Sequence, residues 1–484
     1  MKPVIDPQAL AAEMLRRRGW LQGATALAAA GTWPTLMAQG SNPAEGSTEP
    51  PRLALLIGNR DYPAGEDLPP IHKNVRDLRS VLEKRGFACS DGLDLDTVRT
   101  RSLVAEFAAK VRAAPADATV VFYFSGHGAQ LDSENLLVSA KVNPKAAPAE
   151  LMRGSIRLKN DVLDVLPSRP QGLTISIVDA CRTSLVAASG DSGLNQVEAP
   201  LGNLIAFATG AGRPAIAPAD DTRNTFYTAS LVKVMQESSD EISWQDMFRL
   251  VKFDVQNVML NHPVQLLRQF AQFPFIAENT RQRRRVGLRP AEPPPRPVAA
   301  PATQAAVASP EPGVPVRNEA ADFAALDAAL LPRDIFGLAT DFLKNHPRSR
   351  LAGSATVARL GADDARSKLA LPEVPLTAAA FERTPGLNAE AVAELAKAGR
   401  GDKDAAARIG RTLAPSNLLG TTRADTTRYE GWMRYATALG NGIASYELAL
   451  FYRRNGQPLF AAQYEARARS LGYTPPPSLD NTRK

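Results

Sequence analysis

The chain has 484 residues, of which 44% are hydrophobic and 22% charged, and its net charge is +7. This is the composition of an ordinary globular protein, and the length exceeds what one hydrophobic core supports, so we expect two or three domains. The charge is too mild and too scattered to indicate a nucleic-acid-binding protein. With only two cysteines, the chain cannot be a disulfide scaffold.

The first 38 residues have the pattern of an export signal. Three arginines at 16–18 precede an alanine-rich apolar stretch at 23–30, which is typical of a secretory signal. Residues 17–21, Arg-Arg-Gly-Trp-Leu, are similar to a twin-arginine signal. We therefore predict a signal over 1–38, a spacer over 39–51 and an exported, periplasmic protein. The apolar stretch is too short to span a bilayer; the alternative is an uncleaved amphipathic arm.

Strands and helices alternate after the spacer. Residues 52–59 are an apolar run that predicts a buried strand. Helical spacing of apolar residues predicts a helix from Asn74 to Gly86, a second around Phe107 and a third over 158–166. Further along, the patterns indicate strands near 203–208 and 272–276, with helices at 225–237 and 243–257 between them. Such alternation implies a mostly parallel sheet with helices on both faces.

Two further apolar runs, 120–124 and 174–178, are each followed within three residues by a side chain that can act as a base or a nucleophile. Runs of β-branched and aromatic residues bounded by Gly or Asp are typical of strands buried on both faces. In a parallel sheet, ligands and chemistry collect at the carboxyl ends of the strands. We expect His127 and Cys181 each to lie at such a strand end, and this predicts a Cys–His nucleophilic site.

The residues around both positions resemble the caspase-like cysteine peptidases of the bacterial caspase and metacaspase branch. The motifs are Ser125-Gly126-His127-Gly128 and Asp179-Ala180-Cys181-Arg182, with a Leu-Ile-Gly-Asn opening followed by Tyr62. The resemblance extends over about 52–279, our predicted catalytic domain. It implies an α/β fold of the caspase type, with a mostly parallel sheet covered by helices on both faces.

The resemblance and thiol chemistry together suggest a role for each site residue. The Cys181 thiolate is the expected nucleophile, and the His127 imidazole is the general acid and base. By resemblance, the backbone N–H groups of Gly128 and Cys181 bind the oxyanion, and Asp179 receives a basic substrate side chain. The alternative for Asp179 is a cap on the following turn. Asn74 stands where the family usually has an acidic pocket residue, which reduces the negative charge there.

The remaining histidines and the second cysteine carry no recognisable ligand spacing. We predict that His72, His262 and His346 are surface or packing residues and that Cys89 is a small buried apolar residue. No metal motif is present, and we expect neither a metal nor another cofactor.

The C-terminal third is predicted to be helical. Residues 280–318 are a Pro-rich linker, with nine prolines between 290 and 315. Residues 319–476 are alanine-rich with helical periodicity, followed by a tail at 477–484. The segments 401–406 and 440–445 align at an offset of 39 residues, which is similar to helical repeats of the tetratricopeptide-like class. Such repeats would bind a protein partner; the alternative is a plain α-helical domain.

Two functions are compatible with these observations. The first is a cysteine endopeptidase that cuts polypeptides after Arg or Lys and has a helical interaction domain. The second is a catalytically silent caspase-like scaffold that binds partners through its repeats. Departures from the family pattern at Asn74, Ser139 and Lys141 favour the scaffold, whereas the two intact motifs favour the peptidase.

Overall fold

A computed structural model describes most of the chain after residue 49. The described residues are 50–131, 134–184, 196–210, 215–269, 271–287, 318–384, 386–414 and 423–474, and of 181–184, 266 and 423–425 the main chain alone is described. The predicted signal at 1–38, most of the spacer and the proline-rich stretch at 290–315 therefore lie outside the described residues. No helix within the described ranges is long and apolar enough to cross a membrane.

One eight-stranded sheet organises the first half of the described chain. Its strands are β1 (Arg52–Gly58), β2 (Ala88–Leu93), β3 (Thr119–Leu131), β4 (Glu134–Val138), β5 (Ser155–Arg157), β6 (Leu173–Ser184), β7 (Asn203–Phe207) and β8 (Phe275–Asn279). The order is β2-β1-β3-β6-β7-β8, and the first five of these are mutually parallel. Strand β8 is antiparallel to β7, and β4 and β5 extend the sheet beside the end of β3. The predicted mostly parallel sheet is confirmed.

Helices cover both faces of this sheet, as predicted. They are α1 (Ile71–Lys84), α2 (Thr97–Ala113), α3 (Pro148–Gly154), α4 (Phe226–Glu237), α5 (Trp244–Leu260) and α6 (Gln265–Gln269). On one face, α1, α4 and α5 bury a cluster that includes Leu56 and Trp244. On the other face, α2 buries Phe107 against Leu55 and Phe122. Neighbouring strand residues therefore face different cores, since side chains alternate along a strand.

Two predicted elements differ from the observed ones. The helix predicted over 158–166 is a single wide turn, Leu158–Leu163, with π-helical hydrogen bonds. The Asp161 carboxylate accepts the Arg157 N–H (2.8 Å) and satisfies the beginning of this turn, while Leu158, Val162 and Leu163 are already buried. The strand predicted at 272–276 begins later, at Phe275, because Gln272 instead hydrogen-bonds the loop after β7 through Ala208.

All regular secondary structure described between residues 319 and 470 is helical. Its helices are α7 (Glu319–Ala328), α8 (Pro332–Asn345), α9 (Ala352–Leu369), α10 (Ala389–Gly399), α11 (Lys403–Thr412), α12 (Arg423–Ala438), α13 (Gly442–Arg454) and α14 (Pro458–Ser470). Asp402 and Asn441, equivalent residues of the two aligned segments, cap α11 and α13 with their side chains. The sequence offset therefore corresponds to equivalent helix starts.

The helical region packs directly on the sheet domain. Arg249 of α5 lies between the carboxylates of Asp246 (3.5 Å), Glu278 (3.0 Å) and Asp402 (3.1 Å), and the last of these belongs to the helical region. Elsewhere Gln196, which precedes β7, donates to the carbonyls of Gly440 and Leu471. Because the two regions share buried ion pairs and hydrogen bonds, they form one compact body rather than two tethered domains.

Candidate active site

Strands β3 and β6 hold the two predicted catalytic residues side by side. The pairing of β1 with β3 ends at Gly58 opposite Ser125, and the pairing of β6 with β7 ends at Val178. Strands β3 and β6 continue beyond their neighbours, with His127 in register with Cys181. The two main chains are therefore about 4.8 Å apart at this point, at the carboxyl end of the parallel sheet.

The expectation that each strand ends at its functional residue is wrong. Strand β3 runs on to Leu131 because β4 returns antiparallel beside residues 128–131, and β6 runs on to Ser184 beside β3. Backbone groups that would otherwise be unpaired are satisfied by this extension. The pairing with β1 and β7 ends before His127 and Cys181, and from Gly128 onward β4 lies beside β3 in place of β1.

The loop between β1 and α1 surrounds the half-buried His127. Its imidazole Nε2 lies 2.8 Å from the carbonyl oxygen of Glu66, and its ring meets the Tyr62 ring edge-on at 4.6 Å. A carbonyl oxygen can only accept, so Nε2 carries a proton and, in neutral imidazole, Nδ1 is the basic nitrogen. Burial lowers the pKa of His127, and the hydrogen bond to the Glu66 carbonyl opposes this effect.

The two glycines that flank His127 have different structural roles. At Gly126, a Cβ atom would lie 2.7 Å from the Tyr62 hydroxyl, so the close approach of Tyr62 depends on this glycine. Gly128 is the first residue of β3 to pair with β4, opposite Leu137. The proposed oxyanion-binding role of the Gly128 and Cys181 N–H groups remains a prediction.

Asp179 lies at the centre of a buried polar network. Its Oδ2 accepts hydrogen bonds from the hydroxyls of Thr225 and Thr228 (2.6 Å for Thr228) and lies 3.5 Å from the Asn74 amide. The Tyr123 hydroxyl is 2.7 Å from that of Thr228. Burial raises the pKa of Asp179, although the hydroxyl donors oppose the shift. This carboxylate ties β6 to the start of α4.

Asn74 is fully buried behind Asp179. Its amide donates to Ser125 Oγ (3.2 Å) and Thr225 Oγ1 (3.1 Å), and its carbonyl accepts the Thr225 N–H (3.1 Å). Both ends of the side chain are therefore occupied inside the protein. A direct contact of Asn74 or Asp179 with substrate would require some of these hydrogen bonds to open.

Sequence reasoning missed several residues of this site. From the sequence, Thr225 was recognisable only as the start of a helix, and its side chain does cap α4. Its hydroxyl also hydrogen-bonds Asp179, which is 46 residues away in the chain. Glu66 acts through a backbone carbonyl, which every residue has. Contacts of this kind depend on the tertiary structure, and no sequence pattern predicts them.

The other histidines and Cys89 have packing or ion-pair partners. His72 pairs with Asp94 at 2.6 Å and His346 with Asp322 at 2.8 Å, while His262 meets Phe226 edge-on. Cys89 is half-buried, and burial raises the pKa of its thiol to about 12. Within the described ranges, no group of three or more His, Cys, Asp or Glu side chains could hold a metal ion.

The fold is that of the caspase-like α/β proteins, and comparison with known families agrees. A family model for the caspase domain matches residues 51–285. Among solved structures, the crystal structure of caspase-1 from Spodoptera frugiperda aligns with a TM-score of 0.37 and 17% identity, covering 49% of this chain and 90% of that one. Comparison with curated proteins found no match.

Proposed function

We propose that the protein is a cysteine endopeptidase in which Cys181 is the nucleophile and His127 the general acid and base. The observation that supports this most strongly is the register of His127 with Cys181 in a caspase domain. Residues in register on adjacent strands project to the same face of a sheet. A cysteine and a histidine in register on neighbouring strands, at the carboxyl end of a parallel sheet, are the minimum equipment for acyl transfer.

Each step of the reaction uses a group of this site. His127 Nδ1 takes the Cys181 proton, and the thiolate attacks the substrate carbonyl carbon. The N–H groups of Gly128 and Cys181 bind the oxyanion, where loss of one donor typically costs about 3 kcal/mol. The imidazolium then gives its proton to the departing amine. Water activated by His127 hydrolyses the thioester and restores the free thiol.

The test is hydrolysis of fluorogenic peptides by the wild type, Cys181→Ala and His127→Ala. We expect both variants to lose at least about 1,000-fold in kcat/KM with an unchanged melting temperature, because nucleophile and base act as a unit. A peptidyl thiol-directed probe should label Cys181 in the wild type. Wild-type activity that survives in Cys181→Ala would exclude this mechanism.

The proposal includes a preference for Arg or Lys before the cut bond, with Asp179 as the acidic group that receives it. A basic side chain would compete with the Thr225 and Thr228 hydroxyls for this carboxylate. We expect Asp179→Asn to lower cleavage after Arg more than tenfold. We expect Asn74→Asp to raise it, since a second carboxylate would add negative charge. Thr228→Val is the matched control for lost hydrogen bonding; equal cleavage after Arg, Asp and Ala in the wild type would contradict the preference.

The burial of Asp179 is also the specific observation that favours the alternative, a catalytically silent scaffold. In that case the network of Asn74, Asp179 and Thr225 serves only to hold β6 against α1 and α4. The two functions differ in the thiol: the scaffold predicts that the wild type cleaves no peptide ending in Arg, Lys or Asp and that a peptidyl probe leaves Cys181 unlabelled.

We also propose export to the periplasm, on the basis of the twin-arginine-like pattern at 17–21. Mass spectrometry of the protein from a periplasmic fraction should find the N-terminus near residue 39. An exported thiol enzyme meets oxidants, so its activity should increase with reductant after exposure to air. An intact N-terminus on protein retained in the cytoplasm would contradict this localisation.

The helical region is proposed to bind a protein partner. A cavity of about 970 Å³ lies between this region and the residues around 279–282, and its helical side is lined by Leu376, Leu387, Ile409 and Trp432, among others. Leu387 is 38% exposed. Apolar clefts with an exposed aliphatic rim are typical of binding sites. A partner bound here should be crosslinked to the wild type and lost with the surface variant Leu387→Glu, while Leu459→Glu on α14 is the matched control. Equal crosslinking to both variants would place the partner elsewhere.

A further inference from the structure

The turn between β1 and α1 makes three separate contacts with His127. The Tyr62 hydroxyl accepts the His127 main-chain N–H at 3.1 Å, and the Tyr62 ring packs edge-on against the imidazole. Four residues later, the Glu66 carbonyl accepts from Nε2 at 2.8 Å. The turn thus restrains the main chain of His127, the plane of its ring and the nitrogen that carries the proton.

Tyr62 is itself fixed from two sides. Its hydroxyl donates to the carbonyl of Val138 on β4 at 3.1 Å, and its N–H donates to the carboxylate of Asp67 at 2.7 Å. The side chain is only 5% exposed. The hydroxyl therefore bridges β3 and β4, the two strands that form the rim of the site, while Asp67 closes the turn on the other side.

The conformation of the turn is unfavourable by itself. Ala64 has a φ of 63° and Gly65 a φ of 76°, and the left-handed region is unfavourable for alanine because its Cβ crowds the following carbonyl oxygen. Such a conformation persists where surrounding contacts impose it. Here those contacts are the Asp67 bond, the Leu68 N–H to the Arg60 carbonyl (3.0 Å) and the ion pair of Glu66 with Lys145 (2.5 Å).

We propose that Tyr62 is the positioning residue of His127, held in place by Asp67, so that the imidazole presents Nδ1 toward Cys181. This inference rests on the proposed peptidase function and adds a residue to it. Tyr62 acts through His127, whose main-chain N–H and ring it contacts. Gly126 is part of the same arrangement, because a side chain there would displace the Tyr62 hydroxyl.

The test is Tyr62→Phe, which keeps the ring and removes both hydrogen bonds of the hydroxyl. We expect kcat to fall about tenfold with KM within about twofold, since a small misplacement of a catalytic group costs rate rather than binding. Tyr435→Phe is the matched control: it removes one buried hydroxyl bond, to the Ala398 carbonyl at 2.9 Å, far along the chain in the helical region. It should lower the melting temperature to a similar degree and leave kcat unchanged.

A second readout does not depend on substrate. Iodoacetamide modifies a thiolate, so the rate at which Cys181 is alkylated at pH 7, followed by mass spectrometry, reports its contact with His127. We expect Tyr62→Phe to slow this alkylation about fivefold relative to wild type. Cys89, whose pKa is raised to about 12, serves as the slow internal reference in the same sample.

The exposed Asp67 gives a variant that leaves the core untouched. Asp67→Ala should lower kcat about threefold, and Asp67→Asn, which keeps an acceptor oxygen, should restore it. An active wild type with unaltered kcat and alkylation rate in both Tyr62→Phe and Asp67→Ala would overturn the positioning role alone. A wild type whose Cys181 neither cleaves nor reacts faster than Cys89 would instead overturn the proposed function.

Discussion

The sheet domain and the helical region build their cores differently. The sheet domain brings large side chains together from distant parts of the chain: Trp244 of α5 packs on Phe87 as well as on Phe248 of its own helix. The helical region packs mainly helices that follow one another in the chain. It buries aromatic residues such as Trp432, and glycines let its backbones approach, since a Cβ on Gly361 would overlap the Arg400 carbonyl. Lost volume at Trp244 and added volume at Gly361 therefore probe the two cores.

The largest effect is expected from removing volume in the sheet domain. Trp244→Ala should lower the free energy of unfolding by about 4 kcal/mol, because Trp244 is 1% exposed and its loss leaves a cavity. Urea denaturation followed by circular dichroism measures this. In the helical region, Ala406→Gly should lower the free energy of unfolding by only about 1 kcal/mol, through helix propensity. If the two variants lost equal stability, the large side chain at Trp244 would not be important for the core of the sheet domain.

The next largest loss of stability is expected at the interface between the sheet domain and the helical region. Arg249→Ala leaves Asp246, Glu278 and Asp402 buried without their shared cation, and breaking such a network typically costs about 3 kcal/mol. Differential scanning calorimetry should then separate one transition into two, since the regions lose their main ionic contact. Arg453→Ala, at an exposed ion pair with Glu465, is the control and should cost under about 1 kcal/mol. A single unshifted transition would contradict this role of Arg249.

Adding volume should harm the helical region where its backbones approach closely. Gly361→Ala should lower the free energy of unfolding by about 2 kcal/mol, because the new methyl meets a backbone carbonyl that cannot move independently. Gly337→Ala, on α8 with no atom within 4 Å of its Cβ position, should stabilise instead, by helix propensity. Thermal melts of both variants suffice, and a stabilised Gly361→Ala protein would contradict the close backbone packing.

Acid should weaken the interface between the sheet domain and the helical region, because Asp402 lies in it. Burial opposes ionisation of Asp402, but Arg249 and Arg408 hold its pKa down at about 2, from an ordinary value of 3.8. A depressed pKa stabilises the fold above about pH 4, and this contribution, about 2 kcal/mol, is lost as the pH falls toward 2. Urea midpoints at pH 5 and pH 2.5 measure it, and Asp402→Asn should flatten the difference. An equal pH dependence in Asp402→Asn would assign the effect to other acids.

The smallest expected effect concerns the two equivalent helix caps. Asn441→Ala removes the bond to the Ala444 N–H (2.8 Å) and should cost about 1 kcal/mol. Asp402→Ala removes the same kind of cap together with the partner of Arg249, so its cost should be clearly larger. Chemical denaturation of the two variants compares them directly; equal costs would mean that the ion pair adds nothing to the cap.

Much of the sheet domain follows from short-range patterns in the sequence. The apolar run at 52–58 and the helical spacing of Val75, Leu78 and Val81 predicted β1 and α1, and both are present. The caspase-type fold, predicted from the Ser-Gly-His-Gly and Asp-Ala-Cys motifs, is confirmed. The wide turn at 158–163 was mistaken for a helix because three buried apolar residues at that spacing are equally compatible with one turn.

The sequence by itself determined the alternation of strands and helices, the alignment of 401–406 with 440–445 and the motif residues His127 and Cys181. Each of these is a local feature, since helix and strand periods and capping act over a few neighbouring residues. Tertiary structure alone decided that the Glu66 carbonyl meets His127, that Thr225 and Thr228 saturate Asp179, and that Arg249 joins the regions. Those contacts depend on which distant backbone atoms the folded chain brings together, and no spacing along the sequence encodes them.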